Sequence, residues 1–149
     1  MKKIVLVFVV LLLVCGSAIA GGGLTVFLDN LNVQAQADLP GFSARISAQF
    51  GVPLPQVQTV LGTVAVPADA FMVFQLGQMA NRTPDAVLAT YRANRGRGWG
   101  VIAKNLGIKP GSAEFHALKR GDLVLAGGPN VGPGAGKSKG KSKGKGRNK

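Results

Sequence analysis

His116 and Glu114 are the first residues to consider for acid–base or metal chemistry, because the chain holds one His, one Cys and only six Asp and Glu residues. A zinc site takes about four ligands of these types, and residues two apart on a helix point to different faces. Asp29, Asp38 and Asp69 lie at or near predicted helix ends, where capping and solvation account for carboxylates. We therefore predict that the protein has no catalytic residue, no cofactor and no metal site.

Basic side chains form the largest group able to bind a partner. Seven of them lie between residues 92 and 120, where Glu114 is the only acid. Tyr91 and Trp99 are interleaved with them, a composition typical of grooves for anionic polymers or single strands. A solvated basic face with Trp99 in the core explains the same pattern, and the sequence leaves both interpretations open. The candidate polyanion-binding residues of this region are Arg92, Arg95, Arg97, Lys104, Lys109, Lys119 and Arg120.

The C-terminal end adds seven further basic residues and no acid. They are Lys137, Lys139, Lys141, Lys143, Lys145, Arg147 and Lys149. From residue 127 onward the composition is mainly Gly, Pro, Ser, Lys and Asn, which cannot bury enough surface to offset the entropy of ordering. We predict a disordered basic tail over residues 127–149, which resembles the low-complexity tails of histone-like proteins. Such a tail binds any dense polyanion, with an affinity that falls as the salt concentration rises.

The formal net charge of +12 therefore lies mostly outside the folded part of the chain. Lys2 and Lys3 carry +2, the residues from 137 onward carry +7, and the middle of the chain carries +3. A disordered Lys/Gly tail attracts polyanions without selecting among them. Any selectivity must come from the nearly neutral domain.

Residues 1–20 match a secretory signal peptide. Lys2 and Lys3 form its positive region, residues 4–14 form an unbroken apolar stretch, and Ala-Ile-Ala at residues 18–20 forms the cleavage pattern. We predict cleavage near Ala20 and export to the periplasm or the medium. A retained membrane anchor is one alternative, although eleven apolar residues fall short of the ~20 that span a bilayer. Lipid attachment at Cys15 is the other alternative.

The remaining part, residues 21–126, is long enough for one modest core. After a flexible glycine lead at residues 21–23, apolar residues recur at helical spacing, and Leu39-Pro40-Gly41 interrupts the first of these runs. Residues 68–80 are apolar nearly all round, which predicts a central buried helix. Strand patterns are nearly absent, apart from a short extended candidate at residues 122–126. We predict an all-α fold, a small bundle of about five to seven short helices.

Several residues predict where these helices begin and end. Thr83 before Pro84 is a typical N-cap, Ser112 precedes the last helical run, and Gly51 and Gly96 stand where helices are expected to end.

The most distinctive segment is GWGVIAKNLGIKPGSAEFHALK at residues 98–119. Its part IAKNLGI resembles the first helix and turn of bacterial helix-turn-helix DNA-binding domains, although the following turn is longer than the usual three or four residues. The whole segment resembles a block found in small exported bacterial proteins that have no assigned activity. This resemblance implies export and a helical architecture, and it implies no site residues.

The P-loop, a nucleotide-binding motif, is excluded by its own spacing. Gly136-Lys137-Ser138 matches the end of that motif, but Val131 stands where its first Gly is required.

Together these patterns predict an exported, non-enzymatic helical protein. Its partner is an anionic envelope polymer or membrane surface, and no small-molecule substrate is indicated. The alternative is a nucleic-acid-binding protein that uses a helical corner at residues 99–119 together with the basic tail.

Overall fold

The computed structural model describes residues 22–128, and within this range the chain forms seven α-helices and no β-strand. The helices are α1 (Gly22–Ala37), α2 (Leu39–Phe50), α3 (Leu54–Leu61), α4 (Pro67–Ala80), α5 (Pro84–Ala93), α6 (Trp99–Asn105) and α7 (Ala113–Arg120). The prediction of an all-α bundle is confirmed. The predicted signal peptide and the predicted tail at residues 127–149, apart from its first two residues, lie outside the described residues. None of the seven helices is both long and apolar enough to cross a membrane.

Helix α4 is the centre of the bundle, as its apolar sequence predicts. Phe71, Met72, Val73 and Leu76 are completely buried although they point in different directions around the helix. Helices α1, α2, α3 and α5 pack against it and cover its sides. Since burying a side chain of this size contributes roughly 1.5–3 kcal/mol, α4 supplies a large share of the free energy that holds the bundle together.

Aromatic rings connect α4 to the two helices that precede it. The Phe71 ring meets Phe27 of α1 and Phe50 of α2 edge-on, with ring centres 5.4 and 5.7 Å apart. Phe50 also stacks on Phe74, with a centre separation of 5.9 Å. Such pairs are worth about 0.5–1.5 kcal/mol beyond their burial, so they also set how α1 and α2 lie on α4.

The junction between α1 and α2 is tighter than the sequence predicted. Leu39-Pro40-Gly41 forms the first turn of α2 instead of a break, and Asp38 alone separates the two helices. The Asp38 carboxylate accepts a hydrogen bond of 2.8 Å from the backbone N–H of Gly41. A proline is compatible with a first helical turn because the N–H groups there have no intrahelical acceptor.

The other predicted helix ends compare well with the structure. Thr83 and Ser112 cap α5 and α7, each accepting a hydrogen bond from a backbone N–H of the first turn. Gly51 ends α2 in the left-handed conformation that favours glycine. Helix α5 ends at Ala93, earlier than predicted, and Gly96 lies in the loop that leads to α6.

The segment that follows α7 is irregular, where the sequence had suggested an extended piece. Leu123 and Leu125 are buried and Val124 between them is exposed, which is the alternation of a strand. Two backbone groups of this segment bond to a side chain instead of a neighbouring strand. The Gln49 amide donates to the carbonyl of Val124 at 2.9 Å and accepts from the N–H of Ala126 at 2.7 Å. One glutamine therefore anchors this segment to α2.

The predicted flexible lead is helical from Gly22 onward, and it packs against the end of α7. A methyl group at Gly23 would collide with the backbone of Arg120, and one at Gly121 would collide with the backbone of Gly23. Gly121 also ends α7 with a φ of 70°. The first and last helices can approach this closely only because both positions are glycine.

This close approach predicts a specific loss of stability. Gly51→Ala introduces strain at a φ of 64° with no neighbouring atom within 4 Å, so we expect it to cost about 1–2 kcal/mol of unfolding free energy. Gly121→Ala adds the collision with Gly23, and we expect a further loss of about 1–3 kcal/mol. Urea unfolding of the two variants measures the difference. Equal losses would show that the contact between α1 and α7 is not tight.

Candidate functional site

A groove open to solvent lies where the first turn of α4 meets α5 and α6. Its volume is about 420 Å³, compared with about 310 and 270 Å³ for two other cavities among the described residues. Of these three, it alone combines a carboxylate, a guanidinium group and a Tyr–Trp pair. The side chains that matter most in its lining are Asp69, Tyr91, Asn94, Arg95, Trp99 and Ile102.

Asp69 is the acid of the groove, and three helices meet at its carboxylate. Val66 is the N-cap of α4, so Asp69 occupies the third helical position, from which a carboxylate reaches back to the N-cap N–H. It accepts hydrogen bonds from the backbone of Val66, from the Trp99 side chain of α6, and from the Tyr91 hydroxyl of α5, whose oxygen lies 2.7 Å from Oδ2. Asp69 therefore links the start of α4 to both neighbouring helices.

The buried position changes the acid–base behaviour of this pair. Burial raises the pKa of Asp69 above its ordinary value of 3.8, and the hydrogen bonds to Asp69 and the positive charge of Arg95 oppose that rise only in part. Burial, and the hydrogen bond with Asp69, also raise the pKa of Tyr91 above 10.0. Asp69 therefore binds a proton at a higher pH in the folded chain than in the unfolded chain.

The two aromatic residues form one wall of the groove. The rings of Tyr91 and Trp99 stack with their centres 5.4 Å apart and an angle of 23° between their planes. The Tyr91 hydroxyl also accepts a hydrogen bond from the N–H of Ala65 at 3.3 Å. Only 6% of Tyr91 and 9% of Trp99 is exposed, so the pair offers small apolar areas and no free ring face. Trp99 is therefore packed in the core and also lines the groove.

Arg95 lies in the groove lining just beyond α5. Its guanidinium carbon is 5.9 Å from the centre of the Tyr91 ring, and its side chain forms no ion pair within residues 22–128. Gly96 and Gly98 continue the lining, and Arg97 lies between them with its side chain exposed. The rim of the groove is therefore basic.

Asn94 fixes the end of α5 relative to the end of α6. Its amide Nδ2 donates to the carbonyl of Thr90 at 2.8 Å, and its Oδ1 accepts from the side chain of Asn105 at 3.0 Å. Both polar atoms of this buried amide are therefore satisfied inside the protein. The groove has a rigid wall at this point.

The seven predicted polyanion-binding residues of the domain lie in three places. Arg92 belongs to α5, and Arg95 and Arg97 to the loop that follows it; Lys104 lies on α6 and Lys109 on the connection to α7; Lys119 and Arg120 end α7. All seven are exposed. Of the seven, only Arg95 lines the groove.

Arg120 differs from the other six because it has a carboxylate partner. Its Nε lies 2.6 Å from Oδ2 of Asp122, in the only ion pair within residues 22–128. Both side chains are well exposed, so this pair contributes little to stability. Its main consequence is that Arg120 carries less free positive charge than its neighbours.

His116 and Glu114 lie exposed on α7 and outside the groove lining. Hydrogen bonds from the backbone N–H of Glu114 itself and from the Ser112 side chain lower the pKa of the Glu114 carboxyl. Glu114 lies in the first turn of α7, which is the usual position of an acid in a helix. Within residues 22–128 no three His, Cys, Asp or Glu side chains are grouped to hold a metal ion.

The sequence identified Asp69 as a helix-end carboxylate, but it did not indicate that Asp69 also links α4 to α5 and α6. The capping role follows from a Pro two residues before it, but Tyr91 lies 22 residues further along the chain. Asn94 was not considered at all. Only the packing of α5 and α6 on α4 brings these residues into one site.

The Asp69 contacts predict a pH-dependent stability. Asp69→Ala leaves three donors without their acceptor, so we expect a loss of about 1–3 kcal/mol of unfolding free energy near neutral pH. The pKa of Asp69 is higher in the folded chain than in the unfolded chain, where it is near 3.8. The wild type therefore gains stability relative to this variant as the pH falls through the pKa of the folded chain towards 3.8. Urea unfolding at several pH values between about 4 and 7 measures both effects.

The matched control is Asp85→Ala, which removes an exposed first-turn carboxylate of α5. Only the helix-dipole contribution of about 0.3–1 kcal/mol is expected to be lost there. A difference between wild type and Asp69→Ala that shrinks towards acid pH would contradict a raised pKa.

Comparison with known proteins supplies no further assignment. No protein-family model, no curated protein and no solved structure gives a significant match to this chain. Its function is therefore argued from the residues and their arrangement.

Proposed function

We propose that the protein is exported and, without catalysing a reaction, binds anionic polymers of the cell envelope through its basic residues. The observation that carries this proposal is the segregation of charge along the folded chain. Of the nine basic residues within positions 22–128, eight lie after residue 81, together with only three of the six acids. Residues 22–81, which include the central helix, hold one base and three acids.

The exposed state of these basic residues supports binding to a polymer. Apart from Arg120, the predicted cations of the domain form no ion pair among the described residues. Their charge is therefore available to a partner, and several cations along one stretch add up when the partner carries many negative charges. We assign the domain the role of selecting the partner.

The basic tail has a different role in this proposal. The seven cations from residue 137 onward can increase the encounter rate and the affinity for any dense polyanion, because binding releases counterions. The tail would thus hold the domain near the envelope while the folded surface makes the more specific contacts.

Export is the first part of the proposal to test. Mass spectrometry of the protein purified from cells or medium should give a mature chain that starts at Gly21, since cleavage is expected after Ala20. Ala18→Arg, which disrupts the small-x-small pattern, should leave the longer precursor. A cytoplasmic protein with residues 1–20 intact would contradict export and favour the nucleic-acid alternative.

Binding is the second part. We expect the mature protein to be retained on immobilised lipopolysaccharide, with retention that falls between low and high salt. A chain that ends at Gly136 should bind more weakly and depend less on salt, because seven cations are absent. Unchanged retention after this truncation would show that the tail has no role.

The contribution of the domain is tested in the truncated chain. Arg97→Gln removes an exposed charge beside the groove, and we expect a roughly two- to fivefold loss of affinity. Arg82→Gln is the matched control, since it removes an exposed arginine at the opposite end of α5. Equal effects of the two variants would show that net charge alone determines binding.

Nucleic acid is the second candidate partner, and the observation in its favour is that α6 and α7 pack together as a corner. Residues 106–112 connect the two helices, and α7 has only eight residues. Double-stranded DNA is therefore included in the same binding experiment. Tighter binding to this DNA than to lipopolysaccharide at equal salt would favour the second candidate.

A further inference from the structure

The groove between α4, α5 and α6 combines two opposite polar functions with apolar walls. Arg95 offers guanidinium donors, and Asp69 offers carboxylate acceptors. The rest of the lining includes Ala65, Ile102 and the small exposed areas of the aromatic pair. A ligand that fills this space must therefore present an anionic group, hydrogen-bond donors and an apolar surface.

The hydrogen bonds already present show which of these groups remain available. Asn94 is satisfied by Thr90 and Asn105, as described above. Arg95 has neither a hydrogen bond nor an ion pair within residues 22–128, so all its donors are free. The Asp69 carboxylate lines the groove and receives the Tyr91 hydroxyl at Oδ2, while an ionised carboxylate has about four acceptor positions. Acceptor capacity therefore remains for a ligand hydroxyl.

The aromatic wall argues against a nucleobase as the occupant. Base recognition in single strands uses an exposed aromatic face on which the base stacks. Tyr91 and Trp99 stack on each other, and less than a tenth of either residue is exposed. A ring that makes edge contacts through C–H groups fits this wall better than a flat base does.

The charge of Asp69 limits the density of negative charge that the groove accepts. A phosphate or sulfate group placed at its base would lie beside a carboxylate and be repelled. A ligand with a single carboxylate at the Arg95 end and hydroxyl groups at the Asp69 end avoids this repulsion. Sugar rings that carry one carboxylate have this distribution of groups.

We propose that the groove binds a uronic acid unit of an acidic polysaccharide, with its carboxylate on Arg95, a ring hydroxyl donating to Asp69, and its C–H surface against Ile102 and the Tyr91–Trp99 pair. The volume of about 420 Å³ lies within the ~300–1,000 Å³ range of small-molecule sites. This inference rests on the proposed function and deepens it by naming the chemical class that the domain selects. The groove is open to solvent, so a unit of a longer polymer can enter it.

Calorimetric titration of the full mature chain with a trimer of galacturonic acid tests the proposal. The salt concentration is set to about 0.3 M, which shortens the range of the tail's charges. We expect one site per chain, no comparable binding of the neutral galactose trimer, and a loss of about tenfold or more with Arg95→Gln, because a charge-assisted hydrogen bond is removed. Arg82→Gln, an exposed arginine outside the groove lining, is the matched control and should change the affinity less than about twofold.

A second variant tests the location without changing charge. Ala65→Leu places a larger side chain in the wall of the groove and should weaken binding of the galacturonate trimer about tenfold by occupying its space. Ala48→Leu on the exposed face of α2 is its control. Circular dichroism and urea unfolding of each variant establish that the domain remains folded, so that loss of binding reports on the groove.

The possible outcomes separate this inference from the proposed function. If dextran sulfate binds in low salt while the galacturonate trimer does not bind, the uronic acid site is wrong and polyanion binding stands. The uronic acid site is also wrong, and polyanion binding still stands, if Arg95→Gln and Ala65→Leu leave the affinity for the galacturonate trimer unchanged. An equally tight binding of the galactose trimer leads to the same conclusion. If neither dextran sulfate nor the galacturonate trimer binds at any salt concentration, the proposed function itself is wrong.

Discussion

Helix α4 presents apolar side chains on every side, so it is stable in water only if other helices cover its whole circumference. Four helices do this, and three of them, α2, α3 and α5, have 12, 8 and 10 residues and would be at most marginally stable alone in water. Each of them gains its stability by burying one apolar face on α4. The arrangement of the bundle therefore follows from the need to exclude water from a single central helix.

Covering α4 has a consequence at its first turn. Asp69 stands where a carboxylate favours the start of a helix, but the packing of α5 and α6 over this turn removes it partly from water. A buried carboxylate must be hydrogen-bonded, and Tyr91, Trp99 and the backbone of Val66 supply the donors. The residues that make these contacts also line the groove. Stability and the candidate site thus share residues.

Core residues and basic residues are concentrated in different parts of the chain. The central helix and the three before it contribute most of the core and carry few charges, whereas the part of the chain after residue 81, helices and loops together, carries most of the basic residues. Positive charges that lie far from the core can remain exposed and unpaired without a desolvation cost. This allows the α5–α6 part of the surface to be basic while the domain as a whole stays nearly neutral. In the proposed function, the folded surface selects a partner and the tail only attracts it.

The sequence by itself determined the helical class, the central place of residues 68–80, the caps at Thr83 and Ser112 and the separation of the charges, because each depends on local spacing or composition. It misjudged Leu39-Pro40-Gly41, since a proline that ends one helix and a proline that begins the next look alike along the chain. Only the tertiary structure decided that Asp69, Tyr91 and Trp99 meet, and that Arg95 alone of the basic residues lines their groove. These contacts join residues far apart along the chain, and helical periodicity contains no information about which helix faces which.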